Sequence, residues 1–271
     1  MRSRIVPQTS GASAKEDISL VTKFIDAYAH CGLSKYKPLP DVEQAMRRAN
    51  VDRAVLVQHL GEFDNNYLEQ VVAANPEKFA GVFLVNTDSP QALEDLARWA
   101  ETGTFRGVRL VLESLESHRP IWRGAAELKL NLVVFVPHDI TQSLDQLEGF
   151  IQEHPSTNII LSHFGLGLES REEGFACQRP VYQLAEYGNV YFQVSGMHMF
   201  CEYPFDSMRD LVSQAFTSFG PERMLWGGNY PVVGTDEDYA READFIRAGG
   251  FNIPPAAVVK ITCDTAKTVW F

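Results

Sequence analysis

The sequence predicts a single (β/α)8 barrel, the TIM-barrel form of an α/β fold. Three observations point there. The chain has 271 residues, close to the ~250 that such a barrel needs. Short apolar runs alternate along it with segments of helical period. Several runs are nearly continuous Val, Ile, Leu and Phe, as expected of parallel strands buried on both faces.

Taken in order, the strand candidates are KFIDAY (23–28), RAVLVQ (53–58), FAGVFLV (79–85), FRGVRLV (105–111), LNLVVFV (130–136), NIILSH (158–163), VYFQVS (190–195) and RMLWGG (223–228). Helix signals lie between them. Asp41 is expected to cap a helix, with Gln44 reaching back. Ser89 is expected to cap the next, with Pro90 at its first position and Leu93, Leu96 and Trp99 along one face. Thr141 precedes Leu144, Leu147, Phe150 and Ile151 at helical spacing. Residues 166–188, including Arg171, Glu172 and Glu173, read as an extended loop plus a helix. The segment from 254 to 271 is apolar and partly helical. Residues 1–20 are polar and small, and read as a flexible lead-in to a barrel domain over 21–271. The alternative is an open doubly wound sheet. That fold announces itself by a Gly-rich turn after the first strand, where this chain has AYAHCGL.

Composition narrows the function. Lys and Arg total 24 against 35 Asp and Glu, a net charge of −11. Such a surface repels nucleic acid and anionic lipid, yet leaves room for a locally basic pocket. Cys31, Cys177, Cys201 and Cys263 form no CxxC pair, so a cysteine zinc site or redox motif is not expected, and scattered thiols suit a cytoplasmic location. No run of 18 apolar residues exists to span a membrane, and the first residues lack the apolar core of a signal peptide.

In a barrel, chemistry lies where strands end and loops begin. The first strand offers Asp26, Tyr28 and His30, whose spacing of two predicts one shared face pointing into the barrel mouth. The second ends with Gln58 and His59. The fourth carries Arg109. His138 follows the fifth, His163 ends the sixth, Ser195 ends the seventh and Asn229 follows the eighth. His30, His138 and His163 thus fall at one barrel end on three strands, and histidine suits metal ligation or proton transfer near neutral pH. His118, His154 and His198 read as ordinary loop residues. Arg106 is expected to face outward and Trp226 to lie in the core. Gln58 and Asn66 either bind substrate or tie down a loop. Arg119 and Arg123 are further candidates for an anion. Phe200, Tyr203 and Phe205 either meet an apolar part of a ligand or pack their loop.

FIDAYAH, VDRAVLVQ…DNNYL, EHPSTNIILSHFG and ERMLWGGNYP, in that order, resemble the amidohydrolase superfamily. More narrowly, they resemble its amidohydrolase-related branch of lactonases, lactone isomerases and some decarboxylases. The resemblance runs from about Phe24 onward. The branch pattern D-x-H-x-H stands here as Asp26-Ala27-Tyr28-Ala29-His30, with tyrosine in place of the first histidine. The pattern G-S-D-x-P stands as Gly227-Gly228-Asn229-Tyr230-Pro231, with asparagine in place of the aspartate. His138 and His163 match the expected histidines. Tyr28 offers a phenol of pKa about 10 in water, Asn229 only a neutral carbonyl, and Arg109 repels a cation. A binuclear metal centre is therefore not expected.

The resemblance implies an enzyme that hydrolyses or isomerises a carboxylated lactone or similar small molecule, with no cofactor as the favoured reading. Arg109 would bind a carboxylate or carbonyl oxygen. His30 and His163 would polarise the carbonyl or move a proton, and Tyr28 would donate to developing negative charge. Gln58, Ser195 and Asn229 would line the substrate. Asn229 cannot supply the base that the aspartate provides in hydrolytic members. Either His138 or His163 takes that role, or the reaction is isomerisation or elimination. A first alternative is a hydrolase or decarboxylase with one Zn or Mn on His30, His138 and His163, with Asp26 orienting His30. A second is an inactive barrel used for binding. The expected partner is a small anionic molecule, neither nucleic acid nor membrane, and a homodimer is a common assembly for such an enzyme.

Overall fold

The computed structural model describes residues 23–167 and 175–271. Eight parallel strands pair in sequence order: β1 Ile25–Ala29, β2 Arg53–Val57, β3 Phe79–Phe83, β4 Phe105–Val111, β5 Asn131–Phe135, β6 Ile159–Leu161, β7 Val190–Ser195 and β8 Met224–Gly227. Just past β8, Asn229 N–H donates to the Tyr28 carbonyl at 2.7 Å, and His30 N–H donates to the Tyr230 carbonyl at 2.8 Å. The last strand thus returns to the first, and the (β/α)8 barrel is the fold.

Helices connect the strands on the outside. They are α1 Leu39–Arg48, α2 Asn66–Ala74, α3 Ala92–Glu101, α4 Ser114–Ser117, α5 Arg119–Glu127, α6 Leu144–Glu153, α7 Met197–Phe200, α8 Arg209–Phe219, α9 Asp236–Arg247, α10 Pro255–Val259 and α11 Thr265–Trp270. Two expected caps are displaced, the first by a proline. Pro40 fits the first turn of α1, so that helix begins at Leu39 and Asp41 lies inside it. Ser89 caps a turn instead, its Oγ accepting from Gln91 N–H at 3.2 Å, and α3 begins beyond Pro90, at Ala92. Between β6 and β7, 3-10 turns run over Ala176–Glu186. The expectations for residues 1–20 and for Arg171, Glu172 and Glu173 lie outside the described residues.

Two apolar layers result. Leu56, Leu110, Leu132 and Phe192 face the helices, while Ile25, Ala27, Val55, Val82, Val133 and Leu225 fill the barrel interior. The final helical segment closes the foot of the barrel. Cys263, Ala266, Val269 and Trp270 pack into the interior layer, and Asn131 Nδ2 donates to the Val269 carbonyl at 2.8 Å. The opposite end, at the carboxyl ends of the strands, is left to the site.

The alternation expected of β1 fails at one point. Asp26 pairs with Ala54 and Ala29 with Leu56, so β1 uses one residue more than β2 over this stretch. A bulge of this kind re-aims the side chains beyond it. Asp26 therefore faces α9 rather than sharing a face with Tyr28 and His30.

Candidate active site

The site is built around Tyr28. Its ring meets the His163 imidazole edge-on at 4.6 Å and that of His30 at 5.2 Å. The Arg109 guanidinium lies 5.8 Å from the Tyr28 ring and 5.0 Å from that of Phe135. β1, β4 and the β6 end thus bring Tyr28, His30, Arg109 and His163 together, as their strand-end positions predict, and all four are buried.

Hydrogen bonds assign the tautomers. His30 Nδ1 lies 2.6 Å from the Val57 carbonyl, which only accepts, so Nδ1 carries the hydrogen and Nε2 keeps its lone pair. His163 Nδ1 lies 3.0 Å from Ser195 Oγ and 3.3 Å from the Ser195 carbonyl. Ser195 Oγ also accepts from His163 N–H at 3.1 Å and donates to Gln193 Oε1 at 3.3 Å, while Gln193 Nε2 donates to the Ala27 carbonyl at 3.0 Å. The network is satisfied when His163 Nδ1 carries the hydrogen, and Nε2 again keeps a lone pair. Ser195 therefore holds His163. Burial, and then the Arg109 charge, hold His163 down at about 3 and His30 well below the usual imidazole range. Both rings are neutral at pH 7. Burial raises the Tyr28 phenol, against the pull of Arg109.

Three buried polar atoms here have no hydrogen-bond partner among the described residues: Tyr28 O–H, Arg109 Nε and Asn229 Oδ1. Leaving such an atom unpaired costs about 1–3 kcal/mol. Backbone strain gathers in the same place. His163 and Asn229 sit at φ +51° and +53°, in the left-handed region that side chains rarely adopt. Gly196 lies between them at φ +68°, and a Cβ there would come within 2.8 Å of His163 Nδ1. Asn229 Nδ2 donates to the Met199 sulfur at 3.2 Å.

Other candidates take structural roles. The Gln58 side chain is tied at both ends, Nε2 to the Asp64 carbonyl and Oε1 to His59 N–H. Only its backbone carbonyl meets the site, accepting from Arg109 Nη1 at 3.2 Å. Asn66, at the start of α2, donates to the Asp64 carboxylate just before it. Arg119 and Arg123 both pair with Glu153 on the outer surface. Phe205 packs with Tyr203 of its own loop and with Phe245 of α9, and Phe200 packs on Phe164. Arg106 is exposed and Trp226 buried, as expected. His198 departs from its expectation as an ordinary loop residue, since it pairs with the buried Glu242. Asp26 does not orient His30; the Val57 carbonyl does.

Sequence reasoning passed over Tyr36. Its ring stacks on His30 at 4.6 Å and meets His59 edge-on at 4.9 Å. Nothing in the composition of the 31–38 loop distinguishes this residue; only its contacts do.

The donor set lacks two groups of the branch pattern, the first strand-one histidine and the strand-eight aspartate, whose places Tyr28 and Asn229 take. At the pocket stand two imidazoles, a phenol, an amide and a guanidinium, with Asp26 turned away. His138 lies exposed on the turn after β5. Among the described residues no group of three or more His, Cys, Asp or Glu is placed to hold a metal ion.

Comparison with known proteins agrees with the fold. The L-fucono-1,5-lactonase of Burkholderia ambifaria is 27% identical over 202 residues, covering 71% of this chain and 69% of the relative. A crystal structure from Pseudomonas putida, named only provisionally as a 2-pyrone-4,6-dicarboxylic acid hydrolase, superposes with a TM-score of 0.73 at 22% identity, over 92% of this chain and 98% of that one. An amidohydrolase from Burkholderia multivorans with zinc bound superposes with a TM-score of 0.68 at 20% identity, over 91% of this chain and 98% of that one. The family model described as amidohydrolase matches residues 26–271, from Asp26 through every strand-end residue of the site, and the chain belongs to that family.

Proposed function

We propose that this amidohydrolase is a hydrolase that opens a carboxylated lactone using its own side chains. One observation carries the reading: two neutral imidazoles with free Nε2 lone pairs flank a phenol whose O–H, and a guanidinium whose Nε–H, are unpaired. A lactone carbonyl is electrophilic enough for such donors to activate it. Arg109 takes the carboxylate, and Tyr28 O–H donates to the carbonyl oxygen. Asn229 Oδ1 accepts from the attacking water. His163 Nε2 removes the second proton of that water as its oxygen bonds to carbon. The tetrahedral intermediate then collapses, the ring C–O bond breaks, and the leaving oxygen takes the proton back from the imidazolium. The product is a hydroxy acid.

Arg109 explains why a carboxylate belongs on this substrate. Its charge is the second cause, after burial, of the low basicity of both imidazoles. A carboxylate seated on Arg109 cancels that charge and raises their basicity when substrate is present. The same two lone pairs favour a second reading, in which the imidazoles pass a proton between substrate oxygens and the lactone isomerises without water.

A panel of carboxylated lactones assayed in ¹⁸O-labelled water tests both. Hydrolysis places one solvent oxygen in the product carboxylate, and isomerisation places none. His163→Ala is expected to lose at least about a hundredfold in rate with its fold intact by circular dichroism. Near wild-type turnover by that variant, or no conversion of any lactone by the wild type, overturns the proposal.

A further inference from the structure

Two buried side chains of α9 reach the walls of the pocket from behind. Tyr239 O–H donates to Asp26 Oδ2 at 2.7 Å. The other oxygen, Asp26 Oδ1, accepts from Tyr28 N–H at 2.9 Å and from Gly228 N–H at 2.8 Å. Asp26 thereby fixes the backbone that bears Tyr28 and the backbone just before Asn229. Glycine is required at 228, because a Cβ would collide with the Tyr239 ring. Glu242 lies three residues beyond Tyr239, on the same face of the helix. Its Oε1 accepts from His198 Nδ1 at 3.1 Å. His198 precedes Met199 on α7, and Met199 holds the Asn229 amide. Two routes from one helix face thus end on Tyr28 and Asn229, which bear two of the three unpaired atoms of the pocket.

Packing alone gives no reason for this arrangement. Burial raises Asp26 to about 7 and lifts Glu242 above the usual carboxylate range. Glu242 Oε2 and His198 Nε2 are buried with no partner among the described residues. Apolar side chains of similar volume would join α9 to the barrel at lower cost.

We propose that Tyr239 and Glu242 are positioning residues, through which α9 sets the Tyr28 hydroxyl by way of Asp26 and the Asn229 amide by way of His198. This rests on reading the pocket as the active site. Tyr239→Phe, Glu242→Gln and Glu242→Ala test it, with Tyr182→Phe as control. Tyr182 also loses a hydrogen bond, to the Leu211 carbonyl, but on the outer wall. Unfolding free energy, kcat, KM and the imidazole NMR signals of ¹⁵N-histidine-labelled protein are measured for each.

Tyr239→Phe and Glu242→Ala are expected to lower kcat by about tenfold to a hundredfold while KM moves less than about threefold. Glu242→Gln keeps an acceptor for His198 and is expected to recover most of the loss. The His163 signal is expected to shift in Tyr239→Phe, because the Tyr28 ring lies 4.6 Å from that imidazole. Tyr182→Phe should lose stability and change neither readout. If the α9 variants lose stability as Tyr182→Phe does, with kcat and the His163 signal unmoved, the inference is wrong. If the wild type opens no lactone, the proposed function fails, and the His163 signal alone decides whether α9 positions Tyr28.

Discussion

Gly196, in the turn after β7, separates the cost of strain from the cost of misplacing a site residue. Its φ is +68°, and a Cβ added there would lie 2.8 Å from His163 Nδ1, 2.8 Å from the Met199 sulfur and 3.3 Å from Asn229 Nδ2. Gly103, in the turn after α3, has φ +69° and nothing within 4 Å of its added Cβ. Alanine at either position adopts a left-handed conformation at a cost of about 1–2 kcal/mol. Chemical denaturation should therefore find both variants weakened by that strain, and Gly196→Ala further by the contacts its Cβ forces. Only Gly196→Ala must also push the site apart. Restoring ordinary contact moves the His163 imidazole by about 0.6 Å, and a displacement of ~1 Å can cost ~100-fold in rate. A loss of about tenfold in kcat is expected for Gly196→Ala and none for Gly103→Ala. Equal kcat in the two folded variants would refute the idea that His163 must stand where it does.

Two further outcomes follow from the charges of the pocket. Asn229→Asp is expected to leave the protein without two equivalents of metal after growth with zinc or manganese, because Tyr28 and Arg109 still face the position; elemental analysis finding two equivalents would contradict this. Acid stability is the other. His163 titrates at about 3 when folded, against 6.5 as the ordinary imidazole value, so below pH 6.5 the unfolded chain takes up a proton that the folded one refuses. Stability should fall from about pH 6.5 toward 3, and His163→Gln should flatten that slope in urea titrations; an unchanged slope would show that His163 is not the group responsible.

The barrel was legible because its evidence is repeated. Eight apolar runs each recur as a strand, with β4 and β7 matching to the residue. Arg109, His30 and His163 were legible for a related reason, since the end of a strand fixes where a side chain must go. What escaped depends on one-residue details. A bulge in β1 reversed the direction of Asp26, and strict alternation has no means of anticipating an extra residue. The helix starts shifted in opposite directions, α1 earlier because Pro40 lies in its first turn and α3 later because Ser89 caps a turn ahead of it. His198 looked like any loop histidine until Glu242, 44 residues on, was found beneath it. Tyr36 and the α9 pair act across loops and layers, so their roles emerge only in three dimensions.

The seal at the foot of the barrel shapes how the chain comes to be folded. Residues 263–270, which complete the interior layer, are synthesised after all eight strands, and the Asn131 bond to Val269 spans 138 residues. The clasp between Asp26 and Gly228 spans 202. Until both are made, a nascent barrel on the ribosome is a curved sheet with an oily inner surface and two unpaired edges. Contacts this distant close slowly, and open sheets of this kind associate with their neighbours while they wait.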